Sequence, residues 1–359
     1  MNELFLRNLK IDIYGGSHDP EIGIHAGGFP AGEAVDMAEL QAFLARRAPG
    51  STKYGTQRKE ADEPRFLSGI TDGKTDGTEL HAVIYNSNQR SGDYPAVPDI
   101  PRPSHADYPA IVKYAGAVDL RGGGHFSARL TAPLCIAGGI ALQILARRGI
   151  RVAAHIDSVG DVQDDRFDPL RVCTADFDRL AERDFPTLSE TAADSMRARI
   201  DEARLDGDSV GGVIECAVIG LPVGLGEHIF WGMENRIAHV MFGIPALKGI
   251  EFGTGFAVTK MRGSEANDPL RTDGARIFTA KNNSGGIQGG MTNGMPLIFR
   301  GALKPTPTIL REQDSISLSR MENTKLTMGG RHDPCVAVRA VPIFEAAAAL
   351  AVLDALLDT

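Results

Sequence analysis

Five polar segments, four of them glycine-bearing, hold the side chains of this chain best suited to chemistry. The first, Gly15-Gly-Ser-His-Asp-Pro20, follows a short apolar run at 11–14. The second is Arg102-Pro-Ser-His-Ala-Asp107. The third, Arg121-Gly-Gly-Gly-His-Phe-Ser-Ala-Arg129, opens into an apolar helical pattern. The fourth, Asn282-Asn-Ser-Gly-Gly-Ile-Gln-Gly-Gly290, precedes Lys304-Pro-Thr-Pro-Thr308. The fifth is Gly329-Gly-Arg-His-Asp-Pro334. Glycine lets backbone N–H groups come close to an oxyanion, and a helix N-terminus adds a favourable dipole. Ser127 and Arg129, at the start of the helical pattern, fit an anion site. Lys304, Thr306 and Thr308 offer a charge and two hydroxyls suited to phosphate, on a segment that Pro305 and Pro307 hold extended. Arg46, Arg47, Lys53 and Arg58 add cationic donors. Together they imply an ordered ligand with more than one phosphate or carboxylate, with His and Asp at hand for proton transfer.

Other chemistries fit less well. Ser-His pairs suggest a hydrolase, but no G-x-S-x-G elbow occurs. His18, His105, His125 and His332 suggest a metal cluster, yet none stand at i,i+4 spacing and no HExxH occurs, so no metal is expected. His25, His81, His155, His228 and His239 read as surface or satisfied core groups. Cys135, Cys173, Cys216 and Cys335 are too few and too widely spaced for a disulfide framework or a CxxC pair, and read as reduced thiols.

The elements that must position these segments mix helices and strands. Helical patterns run over Met37–Arg47, 128–148, 190–204, 229–242 and 343–357. In the first, Asp36 is the expected N-cap, and Met37, Leu40 and Leu44 share one face. Strand patterns run over Leu80–Tyr85, 152–156, 213–219, Leu297–Leu303 and 336–341. There is no βαβ series, no dinucleotide fingerprint, no GxxxxGK[ST] loop and no short repeat. Gly/Pro/Asn-rich segments at 50–65, 86–104 and 260–294 separate the elements, and loops of that length are usually functional or disordered. An α+β fold follows, as a single domain over 1–359 without an interdomain linker.

Composition narrows the class. The 41 Gly in 359 residues are about 11%, above the usual ~7%, but no Gly-X-Y period makes the chain collagenous. Charged residues at 23% and hydrophobic residues at 43% exclude wholesale disorder. The net charge of −8 argues against a general nucleic-acid binder. Most of that charge comes from 151–206, with 14 acidic and 8 basic residues, whereas 46–65 holds six basic and three acidic. Local basic spots on an acidic chain point to a discrete anionic ligand. The first residues lack the apolar run of a signal peptide. The apolar stretches 131–146 and 342–357 fall short of an uninterrupted span of ~18 residues and are expected as buried helices, with no membrane partner and a cytoplasmic location.

Taken in order, the motifs resemble the chorismate synthase family over nearly the whole chain. TQRKEAD stands at 56–62, RPSHAD at 102–107 and DSVGGVIE at 208–215. IPALKGIEFGTGF, NNSGGIQGG, KPTPT and GRHDPCVAVRAVPIFEA follow in family order. The resemblance implies a β-α-β sandwich, usually a homotetramer. It implies conversion of 5-enolpyruvylshikimate 3-phosphate to chorismate and phosphate by anti-1,4 elimination, with reduced FMN required but not consumed. By motif, His18 corresponds to the acid that protonates reduced flavin, and His105 to the second catalytic histidine near departing phosphate. Asp333 corresponds to the group that lets flavin N5 act as base. Ser17, Arg47, Lys53, Arg102 and Arg129 map to substrate contacts. FMN contacts map to His125, Phe126, Ser127, Pro245, Ala246, Gly289, Lys304, Pro305, Thr306, Pro307, Thr308 and Arg331.

The chain departs from the family pattern at three places. GESHG becomes GGSHD, with Gly16 and Asp19 in place of Glu and Gly, which puts a carboxylate next in sequence to His18. RRRPG becomes Arg46-Arg-Ala-Pro-Gly50, and an Arg is replaced by Lys53. GGGRSSARET becomes GGGHFSARLT, with His125 and Phe126 in place of Arg and Ser. These changes motivate an alternative, a non-catalytic FMN- or anion-binding paralogue. The histidines motivate another, a metal-assisted phosphatase. With neither a dinucleotide fingerprint nor a long insertion, the flavin is expected to depend on an external reductant.

Overall fold

The computed structural model describes residues 3–50, 54–55, 60–86, 98–329 and 332–358. Two five-stranded antiparallel sheets enclose a helical layer. The first sheet has the order Glu3–Phe5, Lys10–Gly15, Glu21–Gly27, Leu80–Tyr85, Arg65–Ser68. Its strands alternate, so Ile22, Ile24 and Ala26 share the buried face with Leu80, Ala82 and Ile84. The second sheet has the order Leu247–Phe252, Leu297–Leu303, Gly212–Ile219, Arg151–Val159, Val162–Gln163.

Between the sheets lie the helices Thr131–Arg147 and Ala337–Leu356. Both are apolar on nearly every side, and a helix without a polar face must be buried. Thr131–Arg147 packs on the first sheet and Ala337–Leu356 on the second, and the two helices pack on each other. Their close approach requires Gly138, where a Cβ would lie 2.3 Å from the Cβ of Ala346. The result is the sheet-helix-sheet sandwich of an α+β fold. The segment Ala128–Arg147 is long and apolar enough to cross a membrane by composition, but 89% of its apolar 18-residue window is buried inside this sandwich.

Two carboxylates in the second helix are buried with partners. Glu345 accepts a bidentate pair from Arg46 at 2.7 and 2.9 Å and a bond from the Ala154 backbone N–H at 3.1 Å. Asp354 accepts from the backbone N–H groups of Asn8 (2.7 Å) and Leu9 (2.9 Å), and from the Arg236 guanidinium. A carboxylate so supplied can leave water at tolerable cost.

Several sequence expectations need correction. The segment 336–341 is no strand: from Ala337 onward it forms the first turns of the long helix, with Pro342 inside it. Burial of Val338 and Val341 in the helical layer outweighs β propensity and the bond lost at Pro342. The helix expected over 229–242 is a 3-10 turn, Ile229–Trp231, then Met233–Met241, separated by the extended backbone of Gly232. The helix expected over 128–148 likewise begins with a 3-10 turn, Ala128–Leu130. Asp36 does cap Met37–Arg47, accepting from the N–H groups of Ala38 and Glu39, and Leu40 and Leu44 are buried; Met37 is exposed. The 260–294 segment folds on itself as two short hairpins, Leu270–Thr272 with Ile277–Thr279 and Ile287–Gln288 with Met291–Thr292.

Candidate active site

A cavity of about 430 Å³ is walled by loops from both sheets and by the start of the helical layer. Its first wall is the loop after strand Lys10–Gly15. Gly15 has φ +91°, and a Cβ there would lie 2.5 Å from the Glu21 carbonyl oxygen. The Ser17 backbone N–H donates to the Gly124 carbonyl at 3.1 Å, which fastens this loop to the triple-glycine turn. Gly122, Gly123 and Gly124 all have positive φ, a conformation costly for other residues. A Cβ on Gly122 would lie 2.7 Å from His18 Cε1, and one on Gly123 would lie 3.6 Å from His105 Nε2. The turn therefore packs against both histidines with no side chain between them.

His105 is held by Asp107, which is fully buried. Its Nδ1 is 2.8 Å from Asp107 Oδ1. Arg102 donates to the same carboxyl from its backbone N–H (3.0 Å), Nε (2.7 Å) and Nη2 (2.6 Å). Burial alone would raise the pKa of Asp107. The bonds from Arg102 and His105 outweigh it and hold the carboxyl far below the usual carboxylate range. An ionised carboxylate only accepts, so Nδ1 carries the hydrogen and Nε2 is left for the cavity.

The cationic wall is built on shared carboxylates. Arg47 and Arg129, both buried, donate to the two oxygens of Asp62. Arg129 also lies 2.7 Å from Glu60 and donates to Asn86 Oδ1 at 3.1 Å. Burial works to raise Asp62, but the two guanidiniums hold its carboxyl below the usual value. Arg339 donates to Asp333 Oδ2 at 2.8 Å and to the Arg47 carbonyl at 3.1 Å, which places Asp333 on the wall. Lys304 donates to the Ser104 carbonyl at 2.5 Å, and burial lowers its pKa. Thr306 Oγ1 donates to the Asp333 carbonyl at 2.8 Å. Phe126, Pro245, Ala246 and Pro307 give the cavity an apolar face. Ser104 and Ala246 line it with positive φ, +54° and +73°, strained backbone of the kind found at functional sites.

Most expected site residues meet here: Ser17, His18, Arg47, Arg102, His105 and Phe126 on one side, with Ser127 and Arg129 beside them. Pro245, Ala246, Lys304, Thr306, Pro307, Thr308 and Asp333 complete the wall. Three others do not line it. His125 faces two neighbouring cavities. Pro305 packs on the backbone of Gly211. Gly289 occupies the turn between Ile287–Gln288 and Met291–Thr292, where its φ of +62° accounts for the glycine. Lys53 and Arg331 lie outside the described residues. Asp19, expected beside His18, shares a smaller cavity with it and bears electrostatically on His125 and Arg121.

Sequence reasoning missed Asp62, Asp107 and Arg339 as working residues, although all three stand inside the quoted motifs. A charged residue in an apolar run, such as Arg339, is the signal that marks such a position. His332 also lines the cavity, and burial lowers its pKa. Among the described residues, no three His, Cys, Asp or Glu side chains are grouped to hold a metal ion. The arrangement suits a ligand with an apolar face and anionic groups, with two histidines placed to move protons.

Comparison with known proteins gives a consistent result. Residues 9–357 match the sequence model of a family described as Chorismate synthase. The chain is 43% identical over 367 residues to a chorismate synthase of Lancefieldella parvula, covering 99% of this chain and 96% of that one. It is 45% identical over 350 residues to the chorismate synthase of Parabacteroides distasonis, covering 97% and 96%. A solved structure titled Crystal Structure of Chorismate Synthase superposes with a TM-score of 0.78 at 27% identity, covering 99% of this chain and 93% of that chain.

Proposed function

The chain belongs to the chorismate synthase family, and from that premise we propose that it converts 5-enolpyruvylshikimate 3-phosphate to chorismate and phosphate by anti-1,4 elimination. The observation that carries this reading is the pairing of His18 and His105 against one triple-glycine turn, on the wall of a cavity whose cations suit an anionic substrate. Arg47, Arg102 and Arg129 bind the substrate's phosphate and carboxylates with Ser17, each guanidinium held in place by a buried carboxylate. Lys53 is assigned to the same task. His105, with Nδ1 on Asp107, presents Nε2 to the departing phosphate as a proton donor.

The donor set also fits reduced FMN. Phe126, Pro245, Ala246 and Pro307 offer an apolar surface to a flat ring, and Lys304, Thr306, Thr308 and Ser127 offer donors to a phosphate. Pro305 keeps that segment extended, and His125, Gly289 and Arg331 are assigned to the same cofactor by motif. When bound, the reduced flavin supplies transient electron density for breaking a poor C–O bond. His18 would supply a proton to the bound cofactor, and Asp333, fixed by Arg339, would be the carboxylate that supports proton acceptance.

One hydrophobic cluster spans residues of both sheets, which supports reading 1–359 as a single domain. Phe230 and Phe256 are each 80% exposed and Ile277 is 72% exposed, large apolar surfaces that support self-association, proposed as a homotetramer. A cytoplasmic location and an external flavin reductant complete the reading. The test is anaerobic turnover of the substrate with reduced FMN, read as chorismate and phosphate. Well-folded protein that forms no chorismate overturns the proposal. Light scattering reads the assembly.

A further inference from the structure

A second cavity of about 240 Å³ adjoins the first, and His18 stands on the wall of both. Its other walls carry Asp19, Asp119, Arg121, His125 and Tyr114. Asp119 is fixed by Arg121, whose backbone N–H and Nε donate to Oδ1 at 3.0 Å each. The Arg121 Nη2 donates to Oδ2 at 2.5 Å. Both side chains keep contact with solvent, at 33% exposed for Arg121 and 39% for Asp119. On the other side, across the glycine turn, stands His105, already committed to Asp107, and the far wall of the first cavity carries Arg102, Lys304, His332 and Asp333.

We propose that the second cavity is the proton port of His18, with Asp119 as the positioning residue that keeps His18 protonated. This rests on the reading of His18 as a proton donor toward the larger cavity. The step moves one proton and no electrons. When His18 releases its proton to the ligand, the imidazole is left neutral. With substrate and cofactor filling the larger cavity, the replacement proton comes through the smaller one, from hydronium or a protonated buffer, leaving water or the buffer base.

Two observations support this route. The Asp119 carboxyl is held below the usual range, first by its hydrogen bond from Arg121 and also by the nearby charge of His18, so it stays ionised opposite the imidazole. Two departures from the family pattern, Asp19 and His125, both fall on this one cavity. Histidine takes up and releases protons near neutral pH, which arginine does not. Burial lowers the pKa of His125, and the Asp19 charge offsets only part of that. The cavity therefore carries a second titratable imidazole, His125, beside His18.

The test uses Asp119→Asn, which keeps the side chain's shape, and Asp119→Glu, which restores the charge. NMR titration of ligand-free protein labelled at histidine nitrogen, with His18→Gln to assign the signal, reads the midpoint directly. Asp119→Asn is expected to move the His18 midpoint to lower pH, and Asp119→Glu to return it. In anaerobic kinetics, Asp119→Asn is expected to lower kcat about tenfold above the new midpoint with KM little changed. Added imidazole is expected to restore part of that loss. An unmoved His18 midpoint, or wild-type kcat at every pH, overturns the proposal. Failure of the proposed function reads differently: wild-type protein then makes no chorismate, whereas the titration still tests the coupling of Asp119 to His18.

Discussion

His105 Nδ1 and three Arg102 donors converge on one buried carboxyl, so Asp107 serves catalysis and folding at once. Replacing it with Asn removes the carboxylate that orients the His105 ring and frees the ring to turn. We expect Asp107→Asn to lower kcat by about 10² or more, the usual range for losing general acid catalysis. It also leaves Arg102 without a counter-ion, at a cost of about 3 kcal/mol. Anaerobic kinetics and urea denaturation on the same preparation separate the two losses. KM raised alone, with kcat intact, contradicts the role given to His105. Much of this site was legible in sequence because Gly122–Gly124, His18 and His105 stand inside motifs that follow in the family's order. Asp62 was not legible in the same way. Its meaning comes from burial between Arg47 and Arg129, and Arg129 lies 67 residues away in the chain.

At the scale of elements, buried ionic nodes join strands and helices that apolar packing alone would leave free to slide. Asp354, near the end of the long central helix, holds the N-H groups of Asn8 and Leu9 and the buried guanidinium of Arg236. Asp354→Ala strands all three, and we expect a loss of about 3–5 kcal/mol, read as a lower urea midpoint. His155, on strand Arg151–Val159, makes a second node between Asp164 and Glu215. Burial works to lower its pKa, but the hydrogen bonds to Asp164 and Glu215 prevail and push it up to about 9. Because the folded value lies above the unfolded ~6.5, this contribution is fully present below about pH 6.5. It is lost as pH rises through about 9. The melting temperature is therefore expected to fall over that interval, with a shallower fall in His155→Gln. Equal slopes reject this account. Apolar patterning placed Met37–Arg47, Leu80–Tyr85 and Leu297–Leu303 at their observed ends, the helix because one side turns to the core and the strands because most of their residues are buried. Glu21–Gly27 escaped because Gly23 interrupts its pattern. That glycine is demanded by the Tyr14 ring, whose nearest atom would lie 2.4 Å from a Cβ, a contact no local window reveals.

For the whole molecule, a net charge of −8 and a cationic cavity coexist because the charges are kept apart. No residue of 151–206, the stretch with 14 acidic side chains, lines the cationic cavity. Many of those acids stand on or beside the outer helices Thr174–Ala181 and Glu190–Leu205, in surface pairs such as Asp178 with Arg151 and Asp194 with Arg197. Surface pairs of this kind contribute about 0–1 kcal/mol, and exposed charges are screened beyond a Debye length of about 8 Å at physiological salt. The acidic stretch thus sets solubility and the isoelectric point while leaving the substrate's local field to Arg47, Arg102, Arg129 and Lys304. The combined change Asp161→Asn, Asp178→Asn and Asp194→Asn, at side chains 85%, 62% and 80% exposed, removes three negative charges without touching a buried node. At 0.15 M salt we expect kcat/KM within about twofold of the parent and a clear rise in isoelectric point. At 0.01 M salt, where the Debye length grows to about 30 Å, the variant is expected to bind its anionic substrate more tightly than the parent. A large effect at 0.15 M instead places the acidic face within reach of the site and rejects the separation of charge.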